Sequence, residues 1–339
     1  METSARIQKW FAENGRDLPW RHTRDPYRIW VSEIILQQTR IEQGTDYYHR
    51  FLQQYPTLSA LQQTDETTLL RLWQGLGYYS RALTMLKAAR ACSGAFPDRY
   101  DDLIGLPGIG DYTASAISSF ASGECRAAVD GNVQRIIARL YDLEEPVDKP
   151  AGAKSIKMLA DELLDRRHPG NHNQAMMDFG ALQCVPRNPD CHQCPLQAQC
   201  LAYARGTVGE RPVKLGKTKQ RKRCFHYLDL QAGHTRFLRQ RPEGDIWTGL
   251  YEFFLIESDE PLTSESIRQA LGSDRFEIGR QSKTYRHVLS HQQIYADFTV
   301  ILLPGGEAAP PGMVAIGPEA LDSYPLSRLT LRYLQDSLQ

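Results

Sequence analysis

Apolar positions recur every three to four residues through the first 200 residues and then switch to alternation, and that switch divides the chain. In residues 5–14, Ile7, Trp10 and Phe11 fall on one face of a short amphipathic helix. The turn-rich stretch NGRDLPWRHTRDPYRIW follows, with prolines expected to leave Trp20 and Arg21 exposed. A helix is predicted from Tyr27 to about Phe51, thickened on its apolar side by Ile34, Ile35 and Leu36. Further helices are predicted over 57–72, 81–92, 132–140, 153–165 and 173–183. Gln74–Arg81 (QGLGYYSR) is a glycine-hinged turn between two of them, presenting aromatic and apolar tips. Leu106–Gly110 (LPGIG) is a tight turn expected to need both Gly108 and Gly110 for backbone freedom and close approach. The helix that starts near Asp111 carries a small-residue face of Ala114, Ile117, Ser118 and Ala121. From Cys224 onward, FHYLDLQA, TRFLRQR, LYEFFLIE and QIYADFTVILL alternate or run apolar like strands, joined by helices over 263–271 and 326–337. The expected organisation is multidomain: an all-α domain over 1–202, a linker over 203–223, and a small α+β module over 224–339.

Composition adds little until it is resolved along the chain. Zero net charge argues at first against a polyanionic partner. Residues 1–200 carry a net −2, residues 201–223 a net +7 and residues 224–339 a net −5, so a basic bridge joins two mildly acidic bodies. The apolar runs all fall short of 18 residues, and METSARIQKW lacks the form of a signal peptide. A soluble cytoplasmic protein without membrane contact is expected.

Three groups of residues carry candidate chemistry. The glycines beside the helix near Asp111 leave its first N–H groups open to a phosphate. An isolated acid, Asp130, follows 18 residues after Tyr112 in a Val-Asp-Gly-Asn loop. Taken singly, the turn reads as an ordinary helical hairpin and Asp130 as a helix cap. The second group centres on Glu33, set among Ile29, Trp30, Val31, Ile34 and Leu36. A carboxyl in that setting has its charged form disfavoured, which suits a general acid near neutral pH. Gln37, Gln38 and Thr39 add amide and hydroxyl groups at the end of the same segment. The third is Cys184-x6-Cys191-x2-Cys194-x5-Cys200, four soft thiolates in one loop that suit zinc or an iron–sulfur cubane. A bound metal would order this stretch, since Pro186, Asn188, Pro189 and Pro195 would not fold it alone.

Together the hairpin and its downstream acid resemble the endonuclease III superfamily of helix-hairpin-helix DNA glycosylases, whose iron–sulfur loop has the same cysteine spacing. A [4Fe-4S] cluster is therefore expected on Cys184, Cys191, Cys194 and Cys200. LPWR (18–21), WVSEIILQQTR (30–40), GLGYYSRA (75–82), LPGIGDYTA (106–114), VDGNVQR (129–135), NQAMMDFGALQC (173–184) and DIWTGLYEF (245–253) narrow the likeness to the MutY-type adenine DNA glycosylases. That resemblance implies a monofunctional base-excision-repair enzyme that hydrolyses the glycosidic bond of adenine opposite 8-oxoguanine or G and leaves an abasic site. Glu33 would protonate adenine at N7, Asp130 would stabilise the sugar cation, and Tyr112 and Asn132 would organise the two acids and the water. Arg16, Trp20, Arg21, Leu36 and Asp178 match adenine-pocket positions. Gln38, Leu76 and Tyr78 match positions that wedge into the duplex, and Thr39, Gly108 and Gly110 join them among the expected DNA contacts.

The C-terminal module resembles the Nudix-related domain that reads 8-oxoguanine in these enzymes. Its reading loop would be His287–His291, with Ser290 and His291 matching and Leu289 standing where many members have Phe. The segment SESIRQALG (264–272) lacks the metal-binding glutamates of a working Nudix hydrolase, so this module is expected to bind rather than catalyse. The implied partner is double-stranded DNA carrying an A:8-oxoguanine or A:G mispair, met by a monomer. Two alternatives remain at this point: a bifunctional oxidised-pyrimidine glycosylase/lyase, and a non-catalytic DNA-binding iron–sulfur protein. Tyr112 stands where the lyases carry a nucleophilic lysine, which speaks against the first. The presence of both Glu33 and Asp130 speaks against the second.

Overall fold

The computed structural model describes residues 2–37, 39–216, 220–305 and 310–337. The chain divides into two compact units, Met1–Gln62 with Thr84–Gly216, and Gln63–Leu83 with Lys217–Gln339. Among the described residues up to 216 every regular element is helical: α1 (Glu2–Asn14), α2 (Pro26–Leu36), α3 (Ile41–Gln54), α4 (Leu58–Gln62), α5 (Glu66–Leu72), α6 (Ser80–Ala91), α7 (Tyr100–Leu103), α8 (Asp111–Ala121), α9 (Gly131–Leu140), α10 (Pro150–Leu163), α11 (Pro169–Asp178) and α12 (Leu201–Arg205). Local chemistry sets several starts. Asp25 accepts a hydrogen bond from the Tyr27 N–H ahead of Pro26, Asp65 caps α5, and Pro150 and Pro169 open α10 and α11. Ile7, Val133, Ile136, Ile137, Ile156 and Phe179 form one core of the first unit, and Trp10 sets its ring edge-on to Phe179 at 5.1 Å. Among the described residues no helix is long and apolar enough to cross a membrane.

Four local expectations are corrected. The helix predicted over 27–51 is two helices, α2 and α3, because the chain turns sharply after Leu36. A Cβ at Gly44 would lie 2.8 Å from Leu36 and 2.9 Å from Thr39, so the tight fold-back depends on that glycine. The helix predicted over 57–72 is likewise split where Asp65 caps a new start. Trp20 is buried, edge-on to Tyr48 at 5.4 Å, and not exposed by its prolines. Of the two hairpin glycines only Gly108 is conformationally required: its φ is +74° and a Cβ would strike Thr84 at 2.4 Å. Gly110 has an ordinary φ of −96° and open space where a Cβ would go.

The basic surplus after residue 200 is partly spent inside the protein. Arg205 and Arg211 pair with Asp142 at 3.0 and 2.8 Å, and Arg223 is buried between Asp245 and Glu257.

The second unit is built on a sheet of β1 (Arg221–Ala232), β2 (Thr235–Gln240), β3 (Tyr251–Glu252), β4 (Phe254–Glu257), β5 (Glu277–Gln281), β6 (Tyr285–Val288), β7 (Gln292–Leu302) and β8 (Val314–Ile316). The main path runs β3-β2-β1-β7-β5, with β4 on β1, β6 on β7 and β8 on β2. β1 and β7 pair in parallel along almost their whole length, in register Phe225↔Ala296 and Tyr227↔Phe298. Central parallel strands are covered on both faces, which is why residues 225–230 are buried without alternation. α13 (Ser264–Leu271) and α14 (Arg328–Ser337) join the sheet in this unit, which also takes in α5. α14 stacks Tyr333 on Phe298 at 4.1 Å and donates its phenol hydrogen to buried Asp229 at 2.8 Å.

Candidate active site

α2 is apolar around most of its circumference, so residues 27 and 29–35 are all buried, Glu33 included. One carboxyl is thereby carried into the helical core. The Tyr112 hydroxyl, from the first turn of α8, donates to Glu33 Oε2 at 2.7 Å. Burial pushes the Glu33 carboxyl up to about 7, with the Asp130 charge adding to the rise and the Tyr112 hydrogen bond and Arg21 opposing it. Burial, then Glu33 and Asp130, likewise hold the Tyr112 phenol well above its usual range.

Asp130 is the N-cap of α9. Its Oδ1 accepts from the N–H groups of Asn132 (2.9 Å) and Val133 (2.8 Å), and the Asn132 side chain donates to Oδ2 at 2.8 Å. Burial raises this carboxyl, while those three donors and the N-terminal dipole of α9 favour its charge. Two carboxyls therefore face one region in unlike settings. Glu33 has a phenol and apolar walls, and Asp130 has a helix N-terminus. The apolar setting favours the proton on Glu33, and the three donors around Asp130 favour its charge, the division an acid and an anion need.

A second polar cluster borders this one. Asp178, at the end of α11, is fully buried and takes a bidentate pair from Arg21 (both 2.8 Å) together with the side chain and backbone N–H of Arg16. Burial opposes its charge, but these arginines outweigh burial and hold it below the usual carboxylate value. Arg21 also donates to the Arg16 carbonyl at 2.7 Å, which locks the loop carrying Trp20. Leu36 and Thr39 are half-buried, and the Thr39 hydroxyl donates to the Ile35 carbonyl at 2.8 Å. Gln37 reaches Thr113 at 3.3 Å. Gln38 lies outside the described residues.

The remaining expected residues fall elsewhere. Gly108 and Gly110 form an exposed turn before α8, whose first residue, Asp111, is held by the Tyr100 hydroxyl at 2.9 Å. Leu76 is buried within the second unit, so of the two expected wedge residues described there only Tyr78 is presented, 45% exposed and with a left-handed φ of +46°. The Tyr78 hydroxyl meets the Ser290 hydroxyl at 2.5 Å. Ser290 and His291 are exposed, and Leu289 is half-buried against the core of that unit.

Cys184, Cys191, Cys194 and Cys200 line one hollow, although among the described residues no three His, Cys, Asp or Glu side chains converge as ligands of a single ion. The donor chemistry fits a thiolate-ligated cluster. Burial and the neighbouring thiols push Cys194 up to about 11, so this thiol ionises readily only when a metal compensates. The Arg139 guanidinium lies 3.4 Å from Cys184 Sγ and binds the Val185 and Pro186 carbonyls.

Arg135 was not singled out from the sequence, yet it joins the two sites. It donates to the Cys184 carbonyl (2.8 Å), the Gly180 carbonyl (2.6 Å) and the side-chain oxygen of Asn132 (2.8 Å). At Gly180 a Cβ would come within 2.6 Å of the Asn132 Cβ, so this glycine lets the wide turn of Phe179–Gln183 lie against α9. The available signal was two arginines, 135 and 139, four apart on the otherwise apolar face of α9.

Comparison with known proteins places these features in context. Residues 31–170 match the model of the HhH-GPD superfamily of base excision DNA repair proteins. Residues 184–200 match the iron-sulfur binding domain of endonuclease III, and residues 227–336 a NUDIX domain. The adenine DNA glycosylase of Arabidopsis thaliana is 32% identical over 88% of this chain and 57% of its own length. That of Buchnera aphidicola subsp. Baizongia pistaciae is 32% identical over 85% of this chain and 83% of its own. The human one is 38% identical over 59% of this chain and 39% of its own. Among solved structures, a thermostable thymine-DNA glycosylase aligns over 60% of this chain and 95% of its own, with a TM-score of 0.56 and 29% identity. A non-covalent endonuclease III–DNA complex aligns over the same shares with a TM-score of 0.52 and, at 21% identity, attests the fold.

Proposed function

The chain belongs to the adenine DNA glycosylases of the HhH-GPD superfamily, and on that footing we propose that it removes adenine mispaired with 8-oxoguanine or G from double-stranded DNA and stops at the abasic site. The observation that carries this reading is the pairing of a buried Glu33, hydrogen-bonded to Tyr112 and protonated up to about pH 7, with an Asp130 held at a helix N-terminus. Neutral adenine is a poor leaving group. Glu33 donates a proton to N7 as the glycosidic bond lengthens, and the electron pair of that bond leaves with the base. Positive charge grows on the sugar, where Asp130 stabilises it electrostatically or by transient attachment. Water then adds its oxygen to the sugar carbon and yields a proton, which restores Glu33. Asn132 keeps the Asp130 carboxylate oriented. Arg16, Arg21 and Asp178 form a rigid polar rim for the extruded base. A single chain holds every one of these groups, so a monomer suffices.

The four cysteines hold a [4Fe-4S] cluster, which cross-links residues 184–200 when bound. Arg135 then ties that loop to Asn132. Duplexes containing A:8-oxoguanine, A:G or thymine glycol, scored separately for base release and strand scission, test the proposal. Adenine release with scission only after alkali is expected. Release of thymine glycol with direct scission, and no loss of adenine, would replace this reading with a lyase.

A further inference from the structure

Met176 and Met177 are neighbours on α11 with opposite surroundings. Met176 is buried in the core that holds Val133 and Phe179. Met177, about 100° further round the helix, is half-buried and carries its sulfur to the first turn of α8, where Sδ lies 4.0 Å from the Tyr112 hydroxyl oxygen. That hydroxyl donates to Glu33 Oε2 at 2.7 Å. The phenol therefore has two acceptors within reach, a carboxyl oxygen and a thioether, and the thioether is the weak one. The two helices are fixed against each other. A Cβ at Gly170 would come within 2.5 Å of the Ser119 carbonyl oxygen, so the backbones touch there, and Asn173 donates to the Ser119 hydroxyl at 2.9 Å and to the Arg126 carbonyl at 2.8 Å. The sulfur is thus held beside the phenol by helix packing.

One added oxygen atom reverses this ranking of acceptors. In the reaction with hydrogen peroxide a sulfur lone pair attacks one peroxide oxygen, the O–O bond breaks and an S–O bond forms. The sulfur gives up two electrons, and the other oxygen leaves as water. A sulfoxide oxygen accepts hydrogen bonds and donates none. On the phenol side of Sδ it closes a 4.0 Å sulfur contact to ordinary hydrogen-bond range. Tyr112 then has a strong acceptor competing with Glu33. The bond from Tyr112 orients the Glu33 carboxyl and opposes the rise that burial imposes on it, so drawing the phenol away leaves a misaligned and weaker acid. The other described methionines offer no such contact. Met85 and Met313 are buried like Met176, and Met158 is 54% exposed on α10, away from these groups.

We propose that Met177 is a site of reversible modification: oxidation of its thioether by hydrogen peroxide sets an acceptor oxygen beside the Tyr112 hydroxyl and slows adenine release. The inference rests on the reading above that Glu33, oriented by Tyr112, is the acid of adenine excision.

The test uses the full-length holoprotein, treated with graded hydrogen peroxide, freed of it and assayed for single-turnover adenine release at saturating protein. Peptide mass spectrometry reads the sulfoxide at each methionine. Wild type should slow by about tenfold or more, the scale of one strong hydrogen bond redirected, in proportion to Met177 sulfoxide and with DNA affinity retained. Methionine sulfoxide reductases acting on both epimers should restore the rate. Met177→Leu, close in volume and inert to peroxide, should keep its own untreated rate, while Met158→Leu should slow as wild type does although its more exposed sulfur is gone. Peroxide damage to the cluster falls on all three proteins alike and is not repaired by the reductases, so these comparisons isolate the thioether. Equal slowing of Met177→Leu, Met177 sulfoxide without slowing, or no Met177 sulfoxide at doses that convert Met158 fully would each overturn the proposal. Untreated wild type that leaves adenine in place would overturn the reading of the function; adenine release that peroxide does not change would overturn this inference alone.

Discussion

Replacing Glu33 by Gln should make the free protein more stable at pH 8 while disabling it. In the folded chain the Glu33 carboxyl titrates at about 7, against an ordinary 4.5, chiefly because burial disfavours its charge. Below pH 4.5 the group is protonated whether the chain is folded or not, and nothing is lost. Between 4.5 and 7 the unfolded chain releases the proton while the folded chain retains it, so stability drains as pH rises. Above 7 the folded protein carries a buried charge at full cost. A gap of roughly 2.5 pH units at 1.36 kcal/mol each sets that cost at about 3 kcal/mol. Gln removes the charge, keeps the shape and leaves Tyr112 an oxygen to donate to. For a unit of this size about 1 kcal/mol moves the melting temperature by roughly 2–4 °C. Melting wild type and variant without DNA at pH 5 and pH 8 isolates this group from the histidines that titrate in both. A clear gain for Glu33→Gln at pH 8 that shrinks towards pH 5 is expected, together with a single-turnover rate lowered by about 10²-fold or more. Equal melting temperatures at pH 8, or a gain of the same size at both pH values, would refute the raised carboxyl; a near-normal rate would refute its role as acid.

Asp130→Asn keeps the cap geometry but removes the charge facing the sugar, and single-turnover adenine release should fall by about 10²-fold or more with DNA affinity largely retained; a rate within a few-fold of wild type would remove Asp130 from the chemistry. Tyr112→Lys places an amine beside Glu33 and Asp130, and the variant is expected to nick DNA and form a borohydride-trappable adduct while adenine release slows. Trapping by the wild type that is lost on changing Lys154 would locate the nucleophile elsewhere. Wild-type protein should be brown with four irons per chain; colourless active protein carrying stoichiometric zinc would refute the cluster. Cys194→Ala should lower yield and DNA affinity more than it lowers the single-turnover rate at saturating protein, and the reverse order would place the cluster loop in the chemistry.

Much of the site was legible because its chemistry is written in local sequence. Glu33 inside an apolar run has one physical meaning, since a carboxyl in the middle of a buried helical segment must be neutral, paired or costly. Asp130 before Gly131 and Asn132 reads as a helix cap from three residues alone, and the four cysteines declare a metal site by residue type and proximity. The switch from helical to alternating periodicity likewise marks where the sheet begins, to within the three residues between Cys224 and the observed start at Arg221. What the tertiary structure decided are contacts between residues far apart in the chain. The break after Leu36 is invisible to periodicity because it depends on Gly44 accepting Leu36 and Thr39 at close range. Trp20 looked exposed from its prolines, yet Tyr48 covers it. The Tyr112 hydroxyl finds Glu33 across 79 positions. Arg135 reaches Cys184, 49 positions on, while holding Asn132 three positions before it. Hydrophobic pattern and residue type specify which groups are buried and what chemistry they can do; which buried groups meet is set by packing and by the glycines that let backbones approach.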